Sequence, residues 1–215
     1  LWAAGLVDGR SEWMDAVANR LPMMVVARLI GVPDDDVDRL AHWGYARPQL
    51  PDGLMSADAL AASLAAITDL NSYIVEHLRQ AGDAPRDDLI SELAVACRDG
   101  RLKQFTAQLI LVSLFSAGGE STASLLGTAV WILATNPDIQ RRMREQPELM
   151  GAFIEETLRL EPPFRAHYRH VLHDTRLAGV ELPADSRVLL LWGAANRDPA
   201  HFDDPDEFRL DRANS

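Results

Sequence analysis

Ala117-Gly118-Gly119-Glu120-Ser121-Thr122 lies in the middle of an otherwise apolar stretch, 103–135, and the reading of that stretch decides the fold. At 1.5 Å per residue, its roughly 33 residues make a single helix about 50 Å long. The stretch is apolar almost all round, which predicts a buried core helix interrupted at the two glycines. Glycines inside a helix cost about 1 kcal/mol each relative to alanine, so some gain must offset them. Two gains are open at this point: close approach by a flat ligand, or close approach by another helix. Ser121 can donate back to the carbonyl of Ala117 and locally open the helix. Glu120 adds a carboxylate in apolar surroundings, a candidate proton carrier.

Working towards the N-terminus, 87–98 reads as a short helix closed by Asp99-Gly100, with Cys97 near its end as a small packing residue. Before it, Ser56 can cap a longer helix whose Leu60, Leu64, Ile67, Leu70, Ile74 and Leu78 recur at three or four residues, the spacing of one buried face. It ends near Gly82. The stretch 44–53, with Pro48 and Pro51, reads as a loop. A short helix over 22–30 carries Pro22 in its first turn and Gly31 past its end. A second helix starts at Pro33, where Asp34, Asp35 and Asp36 favour the positive end of the backbone dipole.

Towards the C-terminus, Asn136-Pro137 starts one helix and Pro147-Glu148 another, which runs to Leu160 and is stopped by Pro162-Pro163. The period then changes. Residues 168–172, 175–182 and 187–191 are β-compatible, with turns at Gly179 and Pro183-Ala184-Asp185, and predict one small antiparallel sheet. The last segment, 197–215, is rich in Asp, Pro and Phe without periodicity. The fold class expected is mainly α, with 1–163 helical, a small β region over 164–191 and an irregular meander over 192–215, all in a single domain.

Of the 215 residues, 47% are hydrophobic and 25% charged, the balance of a globular protein. A formal charge of -11 with no polybasic stretch argues against nucleic acid and against an anionic membrane surface as partners. The strongest apolar run, 109–115, is far shorter than the roughly 20 residues that span a bilayer, so no membrane anchor is expected. One cysteine cannot make an internal disulfide, and the simplest location is the cytoplasm. The chain begins without Met and ends at Asn214-Ser215, so both ends are expected to be cut points.

Two further groups of residues carry chemistry. Glu156 and Arg159 lie three apart on one helix face and can pair. Such a pair is usually a solvated surface feature, but Leu158, Leu160 and the Pro162-Pro163 stop describe a packed helix end where it would need additional partners. Downstream stands Asn196-Arg197-Asp198-Pro199, then Phe202-Asp203-Asp204-Pro205-Asp206-Glu207-Phe208, then Arg212. By itself this is a loop with aromatic anchors.

In order and spacing the three groups resemble the cytochrome P-450 family, and the resemblance extends over essentially the whole chain. It implies a partial P-450-like helical fold and, for the intact protein, a soluble bacterial haem-thiolate monooxygenase. The stretch from Ala117 to Thr122 is similar to the family's oxygen-binding helix, with Ala117 and Gly118 beside the cofactor and Glu120, Ser121 and Thr122 as catalytic candidates. The family has Thr directly after the acid; this chain has Ser121, with Thr122 behind it. Glu156 and Arg159 resemble the family's Glu-x-x-Arg, and Arg212 falls where the third member of that ion-pair network is supplied. Arg169 matches the arginine that binds a haem propionate, and Ser113, Ser116, Phe164, Arg165 and Ala166 match positions that meet substrate. The implied cofactor is haem b. The implied partners are O2, a small hydrophobic organic substrate, and a ferredoxin-type electron donor with its reductase.

The family's Cys-bearing loop would begin shortly after Arg212, so the proximal ligand is not among these residues, no metal ligand is assigned, and the 215-residue stretch by itself is expected to be inactive. Cys97 is no replacement, because it precedes the oxygen-binding helix. His167, His170 and His173 suggest a metal site only superficially, since no acidic or Cys partner at metal-site spacing accompanies them. The competing reading is a helical ligand-binding or regulatory module without haem; it explains the helices but not the segment from Asn196 to Arg212.

Overall fold

The computed structural model describes residues 1–45 and 56–212. They divide into two compact units, Leu1–Ser124 and Leu125–Ser215, and the division falls inside one long helix. The expected loop at 44–53 lies almost wholly outside the described residues; Gly44 and Tyr45 are the last residues of a helix.

The first unit opens with a π-helical turn, Met14–Ala18, which the sequence did not announce. Helix α1 (Arg20–Ile30) follows, with Pro22 inside the first turn, where a missing N–H costs nothing. Gly31 ends it at φ +96°, and an added Cβ there would collide with Asp88, so glycine is required on two counts. Asp34, Asp35 and Asp36 form a 3-10 turn that leads into α2 (Val37–Tyr45). Helix α3 (Ala57–Asp83) is capped as expected, the Ser56 hydroxyl accepting from Ala59 N at 3.1 Å. Helix α4 (Leu89–Arg98) is capped by Asp88, which accepts from Ser91 N at 3.0 Å.

The buried stripe of α3 differs from the expected one in its first half. Leu60 and Leu64 are exposed, and the chain buries Ser63 and Ala66 before rejoining the expected face at Leu70, Ile74 and Leu78. Small residues let α3 lie close to its neighbours there, where leucine side chains would hold it off. Arg39 of α2 clasps α3: its guanidinium sits 5.1 Å from the ring centres of both Trp43 and Tyr73, and both Arg39 and the Tyr73 hydroxyl donate to Asp36 at 2.7 Å.

Helix α5 (Gln104–Thr135) is 32 residues long and helical throughout, so the glycine pair does not interrupt it. Nor is it buried all round. Its seam of Ala107, Leu111, Phe115, Gly119 and Ala123, each four residues from the last, is covered, while Phe105, Leu109 and Trp131 stand exposed. By length and composition alone α5 is apolar enough to cross a membrane, which the short run at 109–115 did not convey. Met23, Ala27, Ile30, Leu40, Ile74 and Ile90 complete the core around this seam.

In the second unit, α6 (Pro137–Glu145) starts after Asn136, whose amide turns back to donate to Ile132 O at 2.9 Å rather than capping forward. A 3-10 turn, Pro147–Leu149, leads into α7 (Met150–Leu160). Ile132, Met143, Phe153 and Leu210 form a small core, with Phe208 tilted against Phe153 at 5.6 Å. The β region is two two-stranded sheets rather than one. Strand β1 (His167–His170) pairs antiparallel with β4 (Arg187–Leu190), and β2 (Thr175–Leu177) with β3 (Val180–Leu182). The inner pair is a tight hairpin turned by Ala178 and Gly179, both at positive φ, which separates it from the outer pair. A single helical turn, α8 (Trp192–Ala195), opens the expected meander; the rest, to Arg212, has no regular structure.

Candidate functional site

The central turn of α5 has two faces. A Cβ on Gly118 would lie 2.6 Å from Val26 Cγ2, and one on Gly119 would lie 2.7 Å from Met23 Sδ. Both glycines therefore serve a close crossing with α1, the helix-helix gain that the sequence left open. Gly118, expected beside the cofactor, presents its missing side chain to α1 instead. Away from that seam, Ser113, Ala117, Glu120 and Ser121 share a face at three- and four-residue spacing, and the first three are exposed. The Ser121 hydroxyl donates to Ala117 O at 3.0 Å, the expected back-bond, without opening the helix. Thr122 is exposed about 100° further round the helix from Ser121. Ser116 Oγ is buried with no hydrogen-bond partner among the described residues.

Tyr45, at the end of α2, brings its hydroxyl to 3.4 Å from the Cβ position of Gly119 and donates to Asn19 O at 2.8 Å. Burial, and then the negative charge of Glu120, make this phenol harder to ionise than usual. The charge of Glu120 is thus felt inside the first unit, although its carboxylate has no ion-pair partner among the described residues.

In the second unit a single carboxylate gathers an irregular segment. Glu156 is fully buried on α7 and takes Arg159 in a two-toothed grip, Nε and Nη2 each donating at 2.8 Å. Arg212 Nε donates to both Glu156 oxygens at 3.2 Å, and Arg209 N donates to one of them at 2.9 Å. Arg159 spends its other N–H groups on the carbonyls of Asn196 at 2.8 Å, Pro205 at 2.6 Å and Glu207 at 3.0 Å. The Phe202 ring lies 5.2 Å from its guanidinium centre and 6.0 Å from that of Arg212. Burial pushes the Glu156 carboxyl upward, but the bonds from Arg159, Arg209 N and Arg212 outweigh it and hold the group below its ordinary range. Glu156, Arg159 and Arg212 are thus brought together.

Beyond α7, Phe164 and Arg165 are exposed and Ala166 is half buried; Arg165 pairs with Glu161 at 2.7 Å. Arg169, on β1, is exposed and, among the described residues, donates only to the neighbouring Tyr168 O, at 3.0 Å. His167 Nδ1 accepts from the indole N–H of Trp192 at 2.7 Å, whereas His170 faces Asp185 at 3.3 Å. No group of three or more His, Cys, Asp or Glu among the described residues is arranged to hold a metal ion.

The family profile of cytochrome P-450 matches residues 60–214. The chain belongs to the cytochrome P-450 family. It is 63% identical over 213 residues to cytochrome P-450 144 of Mycobacterium tuberculosis, covering 99% of this chain and 49% of that protein. It is 33% identical over 204 residues to the biotin biosynthesis cytochrome P-450 of Bacillus subtilis, covering 95% of this chain and 52% of that one. The ligand-free structure of cytochrome P-450 TbtJ1 superposes with a TM-score of 0.88 at 31% identity, over 98% of this chain and 56% of that chain. The chain therefore spans about half the length of the relatives it matches.

Each unit, taken by itself, carries residues whose chemistry can be compared with the needs of haem. Arg169 is a cation bonded to a carbonyl and, among the described residues, to no carboxylate, a chemistry compatible with an anionic group such as a propionate; Ala117 offers a small side chain on an exposed helix face. Cys97 is packed against the core of the first unit from α4 and belongs to no metal-holding group among the described residues. Several contributors escaped the reading of the sequence. The carbonyls that receive Arg159 belong to backbone, which carries no sequence signal, although Asn196, Pro205 and Glu207 all lie in the segment singled out. Tyr45 and Trp192 gave no signal, because their partners are remote in sequence.

Proposed function

We propose that the intact protein is a cytoplasmic bacterial monooxygenase that inserts one atom of O2 into a small hydrophobic organic substrate. Electrons come from a ferredoxin-type donor and its reductase. Bound haem b, held by a Cys thiolate, supplies the oxidising chemistry. In this reading the two compact units belong to one P-450 domain.

The observation that carries the reading is the pairing of a carboxylate and a hydroxyl, Glu120 and Ser121, on the outward face of an apolar helix, with the carboxylate free of any cation among the described residues. A carboxylate so placed can exchange protons with water, and a hydroxyl one residue on can pass them. Thr122 adds a second hydroxyl next in line. In the first unit Ser113, Ser116 and Ala117 are the residues that meet substrate; in the second, Phe164, Arg165 and Ala166 do so and Arg169 holds a haem propionate. The buried Ser116 hydroxyl, unpartnered among the described residues, is satisfied when a polar group of substrate or a water lies against it. Glu156, Arg159 and Arg212 fix the meander to α7. A haem-free ligand-binding module has no need of that buried charge network, which costs several kcal/mol of desolvation per ion before it is paired.

The test uses the full-length protein. Reduction and CO addition are expected to give a thiolate-type Soret band, and a polypeptide of these 215 residues alone is expected to give none. Replacing Glu120 and Ser121 by apolar residues of similar size is expected to keep the band and uncouple electron consumption from product formation. Unchanged coupling removes the assigned role.

A further inference from the structure

We infer that His167 selects substrates bearing a hydrogen-bond-accepting oxygen, such as that of a ketone or ester, by presenting an N–H whose direction is fixed by Trp192. The inference rests on the monooxygenase reading and deepens it by naming a substrate class.

The indole Nε1–H of Trp192 lies 2.7 Å from His167 Nδ1. An indole nitrogen only donates, so Nδ1 must be the bare nitrogen and the neutral ring carries its proton on Nε2. The same bond fixes the ring flip, because only one edge offers Nδ1 to the indole. The register of the outer sheet places the two residues together: His167 pairs with Leu190, two positions before Trp192. The imidazole is further held by the Phe164 ring, tilted at 5.1 Å, and by the Trp192 ring, edge-on at 6.3 Å.

His167 is half buried and follows directly on Phe164, Arg165 and Ala166, the residues proposed to meet substrate in this unit. Its Nε2 takes part in no ion pair or hydrogen bond among the described residues, unlike that of His170, which faces Asp185. An N–H in this position is satisfied by water in the open site and must find an acceptor when an apolar ligand displaces that water. The group met must be an acceptor for a chemical reason: with Nδ1 engaged by Trp192 the ring has no second lone pair, so it has nothing to offer an ammonium or any other group that only donates.

The test takes the full-length haem-loaded protein and two probes of like shape, 4-phenylcyclohexanone and phenylcyclohexane, with dissociation constants from calorimetry and from the Soret shift. H167F is expected to lower the ketone-to-hydrocarbon affinity ratio about fivefold to tenfold, the worth of one uncharged hydrogen bond. W192F, which keeps the imidazole but frees it to turn, is expected to lower the ratio about twofold to threefold. In the parent protein, nitrogen NMR is expected to show a protonated Nε2 on His167 whose resonance moves with the ketone and not with the hydrocarbon; this readout needs no variant. A ratio unchanged by H167F, a protonated Nδ1, or failure of both probes to bind the haem-loaded parent overturns the assignment. A full ratio in W192F removes the role of Trp192. Absence of a thiolate-type Soret band defeats the monooxygenase reading itself, whereas an intact band without ketone preference defeats this inference alone.

Discussion

The two units secure their parts by opposite means. In Leu1–Ser124, α5 is held by shape: a seam of Ala107, Leu111, Phe115, Gly119 and Ala123 admits α1 so closely that a Cβ at 118 would press on Val26 and one at 119 on Met23. In Leu125–Ser215, a segment without regular structure is held by charge, with one buried glutamate collecting two arginines and a backbone N–H. Apolar packing has no preferred direction and degrades gradually as methyl groups are lost or gained. A buried ion network is directional, and it fails abruptly when one member leaves the others charged and dry.

That contrast can be broken most forcefully at Arg159. R159A in the full-length protein is expected to cost about 3–5 kcal/mol or to abolish folding, because Glu156 is left buried and several carbonyls lose their donor. Chemical denaturation measures it, and a loss below about 1 kcal/mol would place the pair among ordinary surface ion pairs. F115A, the counterpart in the apolar seam, is expected to cost about 3 kcal/mol or somewhat more, through a cavity rather than a stranded charge. The two differ in pH dependence. The folded-state pKa of Glu156 is depressed, so its contribution is full above the ordinary carboxylate range and is lost as pH falls through the folded value. Stability is therefore expected to fall with acidification below about pH 4, and this slope should survive in F115A. A slope of opposite sign would mean that burial, not pairing, dominates at Glu156.

Smaller effects sharpen the picture. G118A is expected to lose about 1–3 kcal/mol to overcrowding against Val26, less the roughly 1 kcal/mol that alanine returns to a helix. Adding V26A should recover at least about 0.5 kcal/mol beyond additivity in a double-mutant cycle, whereas strict additivity would separate the two residues. Y73F removes a single bond to Asp36 and is expected to cost about 1 kcal/mol by thermal or chemical unfolding. R141A, whose pair with Asp138 is exposed, is expected to change stability by no more than about 0.5 kcal/mol.

What the sequence disclosed follows the same division. Helix ends were legible where local chemistry sets them: Ser56 caps, Gly31 closes, and Pro162-Pro163 stops, whereas the helix expected from 87 begins at Leu89 with Asp88 as its cap. The burial of α5 was not, because an all-round apolar sequence does not say which face is covered, and only the four-residue step through Gly119 identifies the seam. The direction of α3 was misjudged at Leu60 and Leu64, since leucine at helical spacing signals burial even where smaller residues make the contact. At the candidate site, Glu156, Arg159 and Arg212 could be named because side chains carry the bonds. Tyr45, Trp192 and the carbonyl acceptors of Arg159 could not, since they depend on chain segments meeting in space.

The clasp at Arg159 touches main-chain oxygens at Asn196, Pro205 and Glu207 rather than their side chains. A fastening of that kind is indifferent to spelling. The outward letters of the segment are at liberty to drift across generations, or to be rewritten by an engineer seeking a different surface charge, provided the trace of the chain beneath them keeps its path.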